Sequence, residues 1–185
     1  MSINKIINFI GFQVIWLTCV FGAAKGYPLA GPLAMMAWLA IHFYINKKSI
    51  QIDLPLVVIT ASIGYLLDSI LVLLGTISFP EQAQLGYPST LWMIALWVNL
   101  AITIRHSLDW LNNRYVLILI FGGTGGVLAY WAGVKIGALL IPDLTLGLIV
   151  VFSVWSFAMP LLYFISNKLT ARQYSTSLKE SHSNV

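Results

Sequence analysis

The sequence predicts an all-α, polytopic membrane protein with six transmembrane helices and both its N-terminus and its C-terminus on the cytoplasmic side. Three observations predict this. Of 185 residues, 59% are hydrophobic and 9% are charged, where a soluble domain carries about a quarter charged residues, so no ordinary water-facing surface can be built. Apolar runs recur at roughly the ~20-residue length that crosses a hydrocarbon core as a helix. The ten Lys and Arg residues stand in ones and twos at the edges of those runs, a distribution that anchors helices in a bilayer. It gives no basic patch, so despite a formal charge of +4 no nucleic-acid role is expected.

The runs, in order, are Ile6–Ala24, Pro28–Ile45, Leu54–Leu74, Pro88–Ile104, Tyr115–Val134 and Leu144–Ile165. The first follows Lys5 and ends in Gly22-Ala23-Ala24, which imitates a secretory signal. It is longer than the ~7 to 15 apolar residues of such a signal, so it is expected to be a retained helix, with the single cysteine, Cys19, packed inside it. Pro28, Pro88 and Pro142 each stand where an outer turn enters a helix, a place where the missing N–H costs no hydrogen bond. Gly-Tyr-Pro occurs twice, at 26–28 and 86–88; turn chemistry explains it as well as duplication does. The longest loop is Gly75 to Tyr87. Residues 1–166 form the six-helix domain. Residues 167–185 form a polar tail rich in Ser, Thr and Asn without an apolar period, expected to be disordered or loosely surface-bound.

With a cytoplasmic N-terminus, the inner segments hold Lys5, Lys47, Lys48, Arg105, Arg114, Lys168, Arg172 and Lys179, and the outer ones only Lys25 and Lys135. Short loops follow the positive-inside bias best, which sets the orientation.

Few residues can carry chemistry. Asp68 lies within the third run, where a carboxylate is unfavourable by ~2.5 to 3.5 kcal/mol at a helix centre and must face protein or water. It reads either as a proton or cation site or as an interhelical hydrogen bond that fixes packing. Ala61, Gly64, Asp68 and Gly75 recur at helical spacing, a small-residue face for a close neighbour. Gln13, Asn99, a water, Lys25 or Lys135 are the expected partners of Asp68. In the fourth run Trp92, Leu96, Asn99, Thr103 and His106 share one face, either lining a path or serving as interhelical glue. His42, near the end of the second run, reads as a packed histidine or as a ligand, but no metal-binding spacing is present. Trp16, Trp38, Trp97 and Trp155 fall near the middle of their spans, away from the headgroup belt that indoles favour. They either fill space between helices or line a cavity for an apolar ligand. Gly122-Gly123-Thr124-Gly125-Gly126, then Gly133 and Gly137, read as helix-packing positions. They do not read as a phosphate loop, since no Lys-Ser or Lys-Thr follows.

Asn8-Phe9-Ile10-Gly11-Phe12-Gln13 with Trp16, then Leu67-Asp68-Ser69, Leu91-Trp92-Met93, Leu96-Trp97, Ser107-Leu108 with Trp110-Leu111, and Tyr130 with Gly133 resemble a family of small bacterial inner-membrane proteins whose domain has no assigned function. The resemblance covers the chain up to its tail. It implies a multi-pass bacterial inner-membrane location and a setting close to enzymes that modify fatty acids in the bilayer. It carries over no catalytic residue, ligand or cofactor.

Two functions fit these residues. One is a small transporter or permease-like protein with Asp68 as its intramembrane titrating group. The other is a non-catalytic accessory or scaffold in membrane lipid modification or homeostasis. That accessory would contact membrane lipids and a membrane-associated enzyme, with the inner loop Arg105 to Arg114 offering the docking surface. An enzyme is the least supported reading, because paired carboxylates, a nucleophile beside a base and a His-rich cluster are all missing from the sequence pattern. No cofactor is expected.

Overall fold

In the computed structural model, which describes residues 3–183, the chain is all-helical. Six α-helices follow one another: α1 (Ile3–Ala24), α2 (Ala30–Ile45), α3 (Ile50–Leu73), α4 (Leu91–Ile104), α5 (Tyr115–Ile136) and α6 (Leu144–Ser183). Short 3₁₀ turns at Lys47–Ser49, Glu81–Ala83 and Asp109–Leu111 link them. Each expected apolar run coincides with one helix. Four helices, α1, α3, α5 and α6, are long and apolar enough to cross a membrane, whereas α2 and α4, at 16 and 14 residues, are shorter.

The bounds depart furthest from the apolar runs at two places, for a physical reason. α3 begins at Ile50 rather than Leu54, so Asp53 lies in its first turn. A hydropathy reading stops at a charge, but the backbone continues because this one is neutralised inside the fold. α6 does not stop near Ile165 but runs to Ser183, so helix replaces the irregular tail expected from residue 167 onward. No Gly or Pro follows Pro160 to end it, and Gln173 Nε2 donates to Gln51 Oε1 of α3 at 2.6 Å. The expected tail's last two residues, 184 and 185, lie outside the described residues.

One end of the bundle is tied by Lys5 to Asp109 (3.3 Å), Asn167 to Asn112 (2.9 Å) and the Gln173–Gln51 bond. At the other end Ser78 and Leu140 exchange backbone hydrogen bonds of 2.9 and 2.8 Å, joining the loop after α3 to the loop after α5. Both Gly-Tyr-Pro turns place their glycine at positive φ, +82° at Gly26 and +104° at Gly86, a conformation that side chains with a Cβ resist. Turn geometry therefore accounts for the repeated tripeptide.

The core is organised around α4. Trp92, Trp97, Asn99, Ile102 and Ile104 are all buried, with α1, α2 and α3 packed about them. A 14-residue helix rises about 21 Å, less than the ~30 Å hydrocarbon core, but neighbouring helices bury most of it. α5 and α6 form the other close pair. A Cβ on Gly122 or Gly126 would stand 2.7 Å from Met159 or 2.3 Å from Trp155, so glycine is what lets the helices touch. Gly137, expected to extend this packing face, instead ends α5 as its C-cap at φ +88°. The outward surface carries exposed Phe9, Leu33, Met36, Val58, Leu66, Phe157 and Phe164, an apolar exterior suited to lipid rather than water.

Candidate functional site

Asp68 is 1% exposed, five residues before the end of α3. Its partners are Trp97 and Tyr130 in place of the expected Gln13, Asn99 or lysines: Trp97 Nε1 donates to Oδ2 at 2.7 Å and Tyr130 Oη to Oδ1 at 2.5 Å. Local sequence explains the first bond. Gly64 stands one turn before Asp68 on the same face of α3, and a Cβ there would lie 2.0 Å from Trp97 Cγ. The indole therefore lies flat on the glycine and its N–H reaches the carboxylate. α5 uses the same device, with Trp155 against Gly126 and Tyr130 one turn on. The two indoles stack on each other with centroids 4.6 Å apart and planes 10° from parallel. Three helices thus meet a fourth through one carboxylate and three aromatic rings.

Beside this group lies a cavity of about 430 Å³ walled by α1, α4, α5 and α6. It falls within the ~300 to 1,000 Å³ of small-molecule sites. Trp16, Trp97 and Trp155 line it together with Tyr130. Trp38 does not, since its ring fills the space over Gly11 between α1 and α2. Gln13, Phe121, Gly125 and Leu128 also line the cavity and are exposed, so it opens sideways between α1 and α5, where the two helices scarcely touch. Ser69 follows Asp68 in sequence, but its hydroxyl has no hydrogen-bond partner among the described residues.

The α4 stripe divides: Trp92 and Leu96 line the cavity, Asn99 meets α1, and His106 meets Asp53 of α3. Asn99 Nδ2 donates to Phe12 O at 3.0 Å, and Thr103 Oγ1 donates to Asn99 O at 2.7 Å. Asn8 completes the seam, donating to Ile102 O at 3.3 Å and accepting from Ser107 Oγ at 2.7 Å.

A second cluster, which the sequence reading did not assemble, lies at the end of the bundle that holds Lys5 and Asp109. Asp53 is 1% exposed and accepts from Arg105 at 2.6 Å on Oδ1, and from Ser49 at 2.6 Å, His106 at 2.9 Å and His42 at 3.1 Å on Oδ2. His42, Asp53 and His106 present potential metal-ligating atoms within 4.8 Å of one another. The donor set favours a hydrogen-bonded anchor over a metal site. Asn46 Nδ2 donates to His42 O at 3.1 Å, which fixes the amide, and faces His42 Nδ1 at 3.5 Å. His42 Nδ1 is then the acceptor and Nε2–H the donor to Asp53, and the Arg105 guanidinium adds a positive charge where a dication would sit. The signal for this cluster was present in the sequence: one carboxylate just before an apolar run, and His42, Arg105 and His106 near the C-terminal ends of the second and fourth runs.

No curated protein and no solved structure matches the chain. Residues 5–161, running from the first helix into the sixth, match the family described as protein of unknown function (DUF2878), and the chain belongs to that family.

Proposed function

We propose that this chain is a lipid-binding integral protein of the bacterial inner membrane, a non-catalytic accessory in membrane lipid modification or homeostasis. In this reading all six helices span the bilayer, with both ends cytoplasmic. The observation that carries it is the sideways-opening aromatic cavity, whose mouth at Gln13 and Gly125 faces the exterior that the apolar surface assigns to lipid. A chain of a bilayer lipid can enter there without leaving hydrocarbon. α2 and α4 span in spite of their lengths because neighbouring helices and the buried Ser89-Thr90 approach to α4 complete the crossing. The eight-to-two division of Lys and Arg supports the orientation.

The test is native mass spectrometry of the full chain released from lipid nanodiscs. Wild type should retain lipid, and Gly125→Leu, which projects into the cavity, should release it. Equal lipid retention by both would refute the reading. Copurification of a lipid-modifying enzyme from native membranes tests the accessory role, with the Asp109-Trp110 turn as its contact, since both residues are exposed.

A second reading, a permease-like protein with Asp68 as its titrating group, is favoured by one observation. Both residues that hold Asp68, Trp97 and Tyr130, line the cavity. Proton uptake into proteoliposomes that depends on Asp68 would favour it.

A further inference from the structure

Gln13 is the eleventh residue of the 22 in α1, so its Cα lies roughly 15 Å along the helix from either end. Its side chain is exposed, lines the mouth of the aromatic cavity, and makes no hydrogen bond among the described residues. Other polar side chains on outward helix faces behave differently. Thr18, Ser62, Thr124 and Ser153 each donate back to the carbonyl four residues earlier, which removes their need for water. A glutamine amide, with two donors and an acceptor on a longer stem, is left at mid-depth against hydrocarbon, where an unpaired polar group is unfavourable.

We infer that the cavity takes a long-chain membrane amphiphile with a carbonyl or hydroxyl oxygen at mid-bilayer depth, and that Gln13 hydrogen-bonds that oxygen. This rests on the lipid-binding reading and names the ligand's chemistry. An ordinary diacyl phospholipid carries its oxygens at the headgroup, far from Gln13. An isoprenoid quinone or an acyl chain oxygenated along its length presents one where Gln13 stands. Trp16, Trp97 and Trp155 offer flat faces for a quinone ring or an unsaturated segment.

The test uses the full chain in dioleoylphosphatidylcholine nanodiscs and three probes: decylubiquinone, a ketostearic acid with its carbonyl at mid-chain, and stearic acid. Wild type should bind at least one oxygenated probe roughly fivefold more tightly than stearic acid, the worth of one hydrogen bond. Which probe it prefers identifies the source. Gln13→Leu, at an exposed position where the fold makes no polar demand, should abolish that preference, read as the ratio of oxygenated-probe to stearic acid affinity. Gly125→Leu should weaken all three, since Gly125 lines the cavity and open space surrounds its Cβ position.

A wild type without preference, or a Gln13→Leu variant that keeps it, overturns the inference while plain-chain binding preserves the lipid reading. Gly125→Leu binding all three probes normally overturns both. Conversion of a dimer to a monomer by Gln13→Leu, with disulfide crosslinking of Gln13→Cys between copies, assigns the amide to a second chain and likewise overturns the inference.

Discussion

Tyr130 Oη lies 2.5 Å from Asp68 Oδ1, and one helical turn before each of these residues a glycine carries an indole: Gly64 beneath Trp97, and Gly126 beneath Trp155. The bond and the indole stack therefore act together. α3 and α5 are joined through the carboxylate, α4 and α6 through the stacked rings, and the four helices are held around one point. Disturbing either contact shifts the other, because the Trp97 indole stacks on Trp155 and also donates to Asp68.

The first prediction concerns the carboxylate. Asp68→Asn keeps one acceptor oxygen and should lower stability by about 1 kcal/mol, whereas Asp68→Leu strands the Trp97 N–H and the Tyr130 hydroxyl and should cost roughly 2 to 4 kcal/mol. Melting temperatures in detergent check the order. A stable, functional Leu variant would show that the polar centre is dispensable. Loss of function with normal stability in the Asn variant would point to the titrating role instead.

A pair of glycine substitutions separates packing from space. Gly64→Ala places a methyl group 2.0 Å from Trp97 Cγ and should destabilise by about 1 to 3 kcal/mol or more as the indole is displaced. Gly125→Ala meets nothing within 4 Å and should be neutral, or stabilise by up to ~1 kcal/mol through helix propensity. Similar melting temperatures for the two variants would contradict the assigned contacts.

Orientation is tested by labelling in intact cells. Gln82 and Lys48 are exposed at opposite ends of the bundle. Gln82→Cys should react with an impermeant maleimide, and Lys48→Cys should react only after permeabilisation. Cys19 is fully buried, so the wild type provides a clean background. The reverse pattern would invert the proposed topology.

Much of the fold was legible because hydropathy in a bilayer is a strong constraint, and all six helices fall on apolar runs. Asp68 was legible as an anomaly, but its partners were not. Sequence reading looked for polar residues at similar depth, Gln13 and Asn99, whereas the indole N–H of Trp97 and the phenol of Tyr130 supply polar tips on side chains that hydropathy counts as apolar. Asn99 turned to the backbone of Phe12, a choice set by how closely α1 and α4 approach. The Asp53 cluster was missed for another reason. Three of its four donors, His42 and the adjacent Arg105 and His106, come from the ends of α2 and α4, and only the packing of those ends against the start of α3 brings them within reach.

That cluster yields the last prediction. Asp53 accepts from Arg105, Ser49, His42 and His106, and its side chain is fully buried while that of Arg105 is 19% exposed. Removing the charge by Asp53→Asn leaves the guanidinium without its counter-ion and should destabilise by roughly 3 to 5 kcal/mol, the usual cost of breaking one side of a buried pair. Arg105→Ala should cost less, because the two histidines and Ser49 still donate to the carboxylate, and a double-mutant cycle should show strong coupling between the two positions. The same residues decide between an anchor and a metal site. A ligand bound only by the folded state at a hundredfold excess over its Kd adds about 2.7 kcal/mol of stability, so zinc at a true site would raise the melting temperature and a chelator would lower it. Neither should occur if His42 Nε2 donates its proton to Asp53. A zinc-dependent rise that disappears in Asp53→Asn and His42→Ala would replace the hydrogen-bonded anchor with a metal centre.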